Sequence, residues 1–358
     1  MIKVGGPYRR CVPKPLVLAL VAGVLAAGCA SSPPKQAATV SDPSPIEVSP
    51  DPEPIAVAPV PVVRPRPRMN PLTGLAPRRG PVVVIKVDNA STARPFQRGI
   101  GHAVVVYQEL VESGLTRFAA VYDGSWSGEV GPIRSARETD IALLAQYGRV
   151  TLAFSGANHG VMHSVLAAAH KQMLIDASHE NFPSLYREGP RRKDSYNFFG
   201  TPTRFRMARP GVGTKAVGFQ FAPLHRGGGR PAKAATIRFS PHAFVIVRYN
   251  KRTGRYAVYQ DGHLMPGVAP ANVLVQSVRI RGSRYVDVLG SPTPYTITTG
   301  RGSAVLMRDG RLVTASWRRL TVKTGTRFLD DKGRDVPLKP GPTWVLLQPK
   351  GQSFTWSS

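Results

Sequence analysis

A chain of 358 residues is long enough for two domains of ordinary size beside a leader and a linker. Lys and Arg outnumber Asp and Glu by 48 to 21, and a formal charge of +27 favours anionic partners such as lipid headgroups or phosphate-bearing wall polymers. A basic surface that only keeps the protein soluble is the alternative interpretation. Cys11 and Cys29 are the two cysteines, and processing before Cys29 leaves one, which excludes an intrachain disulfide, a thiolate metal site and a cysteine nucleophile.

The first 28 residues follow the order of a bacterial export signal. A basic stretch, 1–14, precedes an apolar run of about a dozen residues, 16–27, which is too short to span a bilayer. The run ends in Ala26-Ala27-Gly28-Cys29, which resembles a lipobox, although Ala26 stands where leucine is commonest. We therefore expect a signal peptide over 1–28 and acyl chains such as palmitate on Cys29, with the protein anchored at the extracytoplasmic face of the membrane, away from nucleic acid. Cleavage after Ala27, or a retained anchor, is the alternative.

Residues 29–69 form a proline-rich segment between the predicted lipid anchor and the folded region. Each proline lacks an N–H group and fixes its own φ, so such a segment builds neither a helix nor a sheet ladder. We expect a disordered, extended tether that spans roughly 3 Å per residue.

The pattern of residues 70–225 predicts a layered α/β domain. Strands are predicted over 82–87, 103–107 and 116–122, the first from a β-branched run. After Gly131-Pro132 the apolar spacing becomes that of a helix, which Gly148 ends. A strand over 150–154 and a helix over 161–170 follow, and this alternation is typical of an α/β layer.

Residues 226–235 are rich in glycine and basic residues and are predicted to form a linker. Beyond them, 236–358 show the pattern of short strands without a clear helix. Strands are predicted over 244–249, 255–259, 273–280, 285–289, 295–298, 305–308, 311–317 and 344–347. Asp309-Gly310 is a turn pair typical of a two-residue hairpin. We expect a mostly antiparallel β domain here, and an α+β chain overall.

The common catalytic motifs are absent from the sequence, including a nucleophile elbow, a phosphate-binding loop and a zinc-protease helix. Asp88, Glu112 and Asp140 are the candidates for acid–base catalysis, although salt bridges to arginines explain them as well. His159 and His163 lie four residues apart, but the pattern fixes no third ligand, so we predict neither a metal nor another cofactor.

The segment 129–137 offers a candidate anion site. If a helix starts after Gly131-Pro132, its first amides point outward, and Arg134 and Arg137 lie on one helical face with Ser135 between them. Free amides and guanidiniums together suit a phosphate or carboxylate, and Arg94 and Arg117 could join them. The alternative is that these arginines pair with Asp88, Glu112 or Asp140 and stabilise the fold.

Several segments occur in an order found in one bacterial family. In the first half they are Asn70-Pro-Leu-Thr-Gly74, Val87-Asp88-Asn89, Ala93-Arg94-Pro95, Glu112-Ser-Gly-Leu-Thr-Arg-Phe118 and Gly131-Pro-Ile-Arg-Ser-Ala-Arg137. In the second half they are Asn272-Val-Leu-Val-Gln276, Ala315-Ser-Trp317, Thr326-Arg-Phe328 and Gly341-Pro-Thr-Trp344. The chain from residue 70 onward thus resembles the YerB-like lipoproteins, a two-domain family of unknown function of the DUF3048 type.

The resemblance implies two domains on an exported leader and carries over no catalytic residue, because none is established for the family. This chain departs from the family pattern at Tyr107-Gln108-Glu109 and at Ser195-Tyr196-Asn197, where a histidine usually precedes the asparagine. The second departure counts against a shared histidine-based mechanism.

We therefore predict a membrane-anchored accessory protein that binds an anionic envelope ligand, a cell-wall polymer or an envelope protein through the arginines. An envelope hydrolase or transferase that uses the three carboxylates is one alternative. A scaffold that presents a surface to protein partners is the other.

Overall fold

The fold is built on the β-branched run after Pro81, which forms a strand with all six residues buried, β1 (Val83–Asp88). The computed structural model describes residues 69–77, 80–123, 126–189, 197–212, 215–225, 228–286 and 290–358. The predicted signal peptide, Cys29 and the predicted tether up to residue 68 lie outside the described residues. Within these described ranges, no helix is long and apolar enough to cross a membrane.

The first half of the described chain mixes strands with short helices. Its further strands are β2 (Val105–Leu110), β3 (Thr116–Tyr122), β4 (Val130–Ile133), β5 (Val150–Ala153), β6 (Leu174–Asp176), β7 (Arg187–Glu188) and β8 (Phe198–Gly200). Its helices are α1 (Glu138–Leu144), α2 (His159–His170) and α3 (Pro202–Ala208). The longest of them, α2, begins where the Asn158 side chain accepts a hydrogen bond from the Val161 N–H at 2.8 Å.

The second half consists of strands, and residues of the predicted linker 226–235 take part in two of them. The strands are β9 (Arg230–Pro231), β10 (Ala234–Ser240), β11 (Ala243–Asn250), β12 (Arg255–Gln260), β13 (His263–Leu264), β14 (Asn272–Val278), β15 (Ile280–Val286), β16 (Pro292–Thr296), β17 (Gly300–Arg308), β18 (Arg311–Arg319), β19 (Arg327–Leu329), β20 (Thr343–Pro349) and β21 (Phe354–Ser357). The described chain is therefore mostly β.

One large sheet, the main sheet, contains strands from both halves. Its order is β19-β18-β17-β14-β20-β2-β3-β1-β4-β8-β7, with β5 beside β1, β6 beside β5 and β9 beside β18. The link between the halves is β20, which is parallel to β2 through Val106↔Trp344 and parallel to β14 through Val273↔Trp344. Trp344 is 3% exposed and packs on Phe118, with ring centroids 5.3 Å apart. A late strand thus completes the sheet that the early strands begin.

The main sheet has a separate core on each face, because successive residues of a strand point to opposite sides. On one face, residues such as Ile85 pack against a second sheet of order β13-β12-β11-β10-β21. On the other face, residues such as Val84 pack with Leu143 of α1 and Val165 of α2. We call the second one the helix-covered face.

The helix predicted after Gly131-Pro132 starts later than expected, and this prediction is wrong. Ile133 pairs with Val87 of β1, and the Arg134 N–H donates to the Lys86 carbonyl at 2.9 Å. Sheet pairing therefore uses the backbone groups that were expected to begin a helix, because tertiary contacts outweigh local helix propensity here. The helix α1 begins at Glu138, so fewer residues of the first half are helical than the predicted α/β layer requires.

Candidate functional site

Three of the five predicted ligand-binding residues lie near one another, at the end of the helix-covered face. Arg117 of β3 stands in register with Asp88 of β1 and with Glu109 of β2, so these three side chains project from the same face. Arg134 and Arg137 approach Arg117 closely enough to lower its pKa. We call Arg117, Arg134 and Arg137 the arginine cluster.

Two carboxylates lie among these arginines. The Arg134 guanidinium pairs with Asp88, with Nε and Oδ2 2.9 Å apart. The Arg137 Nε donates to Glu112 Oε2 at 3.0 Å, and the Thr293 hydroxyl donates to the other oxygen of Glu112 at 2.8 Å. Burial alone would raise the pKa of Glu112, but the Arg137 guanidinium outweighs it and holds that pKa below its usual range.

Arg117 is held differently from the other two members of the cluster. Its Nε and Nη1 are buried and have no hydrogen-bond partner among the residues that the structure describes. Burial lowers the pKa of Arg117 to about 9, and the Arg137 charge pushes in the same direction, while Asp88 opposes it. The guanidinium remains protonated at pH 7. A buried cationic donor without an acceptor costs about 1–3 kcal/mol or more.

The other two predicted ligand residues do not join the cluster. Arg94 pairs with Asp261 and donates to the Asn89 and Gln260 carbonyl oxygens at 3.2 and 3.3 Å. The Asn89 and Gln260 side chains, in turn, are bonded to each other. These contacts lie towards the second sheet, away from the helix-covered face. Ser135 lies against the backbone of Gly156. A Cβ added to Gly156 would be 3.2 Å from the Ser135 hydroxyl oxygen.

Beside the cluster lies a buried charged triad that the sequence reasoning did not identify. The Lys86 ammonium contacts Glu109 Oε1 and lies 2.7 Å from Asp140 Oδ1, and none of the three side chains is more than 1% exposed. The second oxygen of Asp140 accepts from the Arg137 N–H at 2.7 Å, which ties the triad to the cluster. The available signal was a lysine within an otherwise apolar, β-branched run, because such a position demands a buried partner.

One ammonium cannot neutralise two buried carboxylates. Burial raises the pKa of Glu109 to about 7 against the opposing charge of Lys86, and the neighbouring Asp140 carboxylate adds to the rise. Glu109 Oε2 is buried and has no hydrogen-bond partner among the described residues. Glu109 therefore titrates near neutral pH, next to the arginines.

The candidate catalytic carboxylates Asp88, Glu112 and Asp140 lie in this region, but each contacts a cation. Asp88 is held by Arg134, Glu112 by Arg137 and Asp140 by Lys86. A general base needs a carboxylate that can reach a substrate proton. This geometry serves the pairing of charges better than acid–base chemistry.

The first two histidines of α2 do not form part of a wider cluster of ligands among the described residues. His159 and His163 are exposed near the start of α2. Across the part of the chain that the structure describes, no group of three or more His, Cys, Asp or Glu side chains could hold a metal ion.

Comparison with known proteins places the chain in a family. Residues 72–215 match the N-terminal domain, and residues 235–345 the C-terminal domain, of the protein of unknown function DUF3048. The predicted lipoprotein YerB of Bacillus subtilis (strain 168) is 25% identical over 303 residues, which cover 78% of this chain and 86% of YerB. A crystal structure of the Bacillus subtilis YerB protein matches 80% of this chain and 99% of its own, with a TM-score of 0.66 and 21% identity, and so shares its fold. The chain therefore belongs to the DUF3048 family.

Proposed function

We propose that this protein is a lipid-anchored binding protein of the cell envelope whose arginine cluster holds an anionic group of a wall polymer or of a partner protein. The lipobox-like residues that end at Cys29 support the anchor, as does the similarity to YerB, which is itself a predicted lipoprotein. The net charge of +27 supports an anionic partner.

The observation that carries the proposal is the pair of buried Arg117 nitrogens without an acceptor among the described residues. Three guanidiniums lie close together with the carboxylates of Asp88 and Glu112 between them, so these five side chains carry one more positive than negative charge. An anion at this point would supply acceptors to the cluster, and charge-assisted hydrogen bonds to guanidiniums are among the strongest in proteins. Arg134 is 20% exposed and gives such an anion access from solvent.

The test is retention of the full chain on purified bacterial cell walls, with Arg134→Gln as the main variant. We expect retention to weaken by about tenfold or more, because one charge-assisted contact contributes roughly 1.5–3 kcal/mol. Arg327→Gln is the matched control, since Arg327 also forms a salt bridge, with Asp335 at 2.8 Å, but lies on β19. It should change retention less than about twofold, as expected for a half-exposed ion pair.

Walls stripped of their phosphodiester-linked polymers separate the sources of the anion. Loss of retention on stripped walls identifies the polymer phosphate, and unchanged retention identifies a peptidoglycan carboxylate. Equal retention of Arg134→Gln and the native protein, with both folded by circular dichroism, would contradict the proposal.

A further inference from the structure

A cleft of about 560 Å³ opens between two loops that are far apart in the sequence. One wall is the loop 91–102 between β1 and β2, and the other is the segment 263–268 after β12. The floor consists of Ile100, Met265 and Val268, which are 4–6% exposed. These three residues belong to the core between the two sheets, so the cleft is separate from the arginine cluster on the helix-covered face.

The walls of the cleft are fixed by contacts on both sides. Arg94 of the first loop pairs with Asp261, which precedes the second loop. At Gly101 the loops touch, because a Cβ added there would come within 2.1 Å of the Gly267 carbonyl oxygen. The His102 ring stacks on Trp126 with centroids 4.3 Å apart and planes at 12°. The cleft is therefore preformed, which lowers the entropy lost on binding.

The rim of the cleft is basic. Arg94, Arg98, His102 and His263 line it, and none of its lining residues, all of them described, is an aspartate or a glutamate. The carboxylates of Asp261 and Glu129 that pair with Arg94 and Arg98 lie outside the lining. An apolar floor below a cationic rim selects a molecule with an apolar body and a negative end.

We infer that this cleft binds a small amphiphilic anion, with a carboxylate, sulfonate or phosphate at the rim and a ring or short acyl body on the floor. The volume falls within the roughly 300–1,000 Å³ of small-molecule pockets. Leu264 is 53% exposed at the edge of the cleft and would cover the apolar body of the ligand. This site is additional to the arginine cluster and does not depend on the function proposed for it.

The probe is naphthalene-2-sulfonate, and its neutral counterpart is 2-naphthalenemethanol. Binding to the full chain in lipid vesicles is measured by isothermal titration calorimetry, with empty vesicles as the blank. We expect saturable binding of one sulfonate per chain, tighter than that of the alcohol by about tenfold, the effect of one favourable charge contact. Equal affinities for the two compounds would overturn the role of the basic rim.

Two pairs of variants locate the site. Leu264→Asp puts a negative charge at the rim and should weaken sulfonate binding by at least about tenfold, because like charges repel at close range. Leu320→Asp is its control, since Leu320 is 72% exposed and lies outside the cleft lining. Both positions are exposed, so both variants should fold. A similar effect of the two substitutions would contradict the assignment.

Arg98→Gln and Arg187→Gln form the second pair. Both arginines bond to Glu129 and both lie over the Phe199 ring, at 5.8 and 5.3 Å from its centroid, but only Arg98 lines the cleft. We expect Arg98→Gln to weaken sulfonate binding by up to about fivefold, the range for an exposed charge, and Arg187→Gln to leave it unchanged. An equal loss in both variants would show that the rim does not contact the anion.

Discussion

The arginine cluster and the cleft are both basic, yet their charges are held in different ways. In the cluster, Arg137 is 10% exposed and bonded to Glu112, so its charge has lost most of its water. At the cleft rim, Arg98 is 59% exposed and its charge is largely screened by solvent. Removing a buried paired charge leaves its partner uncompensated, whereas removing an exposed one costs little. The same residue type therefore contributes strongly to the stability of the fold in one region and little in the other.

The largest expected effect comes from the triad that supports the cluster. Lys86→Met keeps the volume and the apolar stem but leaves Glu109 and Asp140 buried without a cation. We expect the free energy of unfolding at pH 7 to fall by about 3–5 kcal/mol, the cost of breaking a buried ion pair. Urea denaturation followed by circular dichroism measures it.

Lys251→Met is the control for this substitution, because Lys251 is exposed in the turn between β11 and β12. It should change the free energy of unfolding by less than about 0.5 kcal/mol. Lowering the pH to 5 should recover part of the loss in Lys86→Met, since the orphaned Glu109 carboxylate, whose pKa burial raises, can then take up a proton. A loss that is independent of pH would point to packing instead of charge.

The second-largest expected effect is the pH dependence that Glu109 gives to the free energy of unfolding. Its pKa is raised from 4.5 to about 7 by burial, so ionising it is harder in the folded protein than in the unfolded chain. Below about pH 4.5 the ionisation of Glu109 does not change the free energy of unfolding. Above about pH 7 it lowers the free energy of unfolding by its full amount, at most about 3 kcal/mol. We expect Glu109→Gln to gain stability relative to the native protein as the pH rises through this window.

The measurement is the difference in unfolding free energy between Glu109→Gln and the native protein at pH 4.5, 6 and 8. Glu112 does not interfere, because its lowered pKa acts below pH 4.5, where protonation removes its bond to Arg137. A difference that stays constant from pH 4.5 to 8 would show that Glu109 does not titrate in this range.

Much of the strand pattern followed from the sequence, and the long-range contacts did not. The strands predicted over 82–87 and 116–122 correspond to β1 and β3, because β-branched runs bounded by polar residues give a local signal. The pairing of β20 with β2 joins segments more than 200 residues apart. No periodicity within one segment encodes such a pairing.

Three residues of the candidate site could be named from the sequence, but its geometry could not. Arg134 and Arg137 were singled out by the segment 129–137 and Arg117 as a residue that could join them, and the alternative pairing with Asp88 and Glu112 is present in the structure. The helix start was misplaced, because the pairing of Ile133 with Val87 overrides local helical spacing. The cleft was not foreseen, because its two walls are aperiodic loops that only the tertiary fold brings together.

The smallest effects compare the two basic regions directly, through Arg137→Met and Arg98→Met. Arg137 donates from Nε to Glu112 and from Nη1 to the Ala136 carbonyl at 2.9 Å. Without Arg137, the nearly buried Glu112 carboxylate loses its guanidinium partner. We therefore expect the free energy of unfolding to fall by about 2 kcal/mol. Arg98→Met should lower the free energy of unfolding by less than about 0.5 kcal/mol, because the ion pair of Arg98 with Glu129 is screened and Arg187 still holds that carboxylate.

Urea denaturation at low and high salt distinguishes the two variants, since salt should change the stability of Arg137→Met relative to the native protein very little. Equal losses in the two variants would mean that the cluster is as open to solvent as the cleft rim, and the contrast between buried and solvent-screened charge would fail.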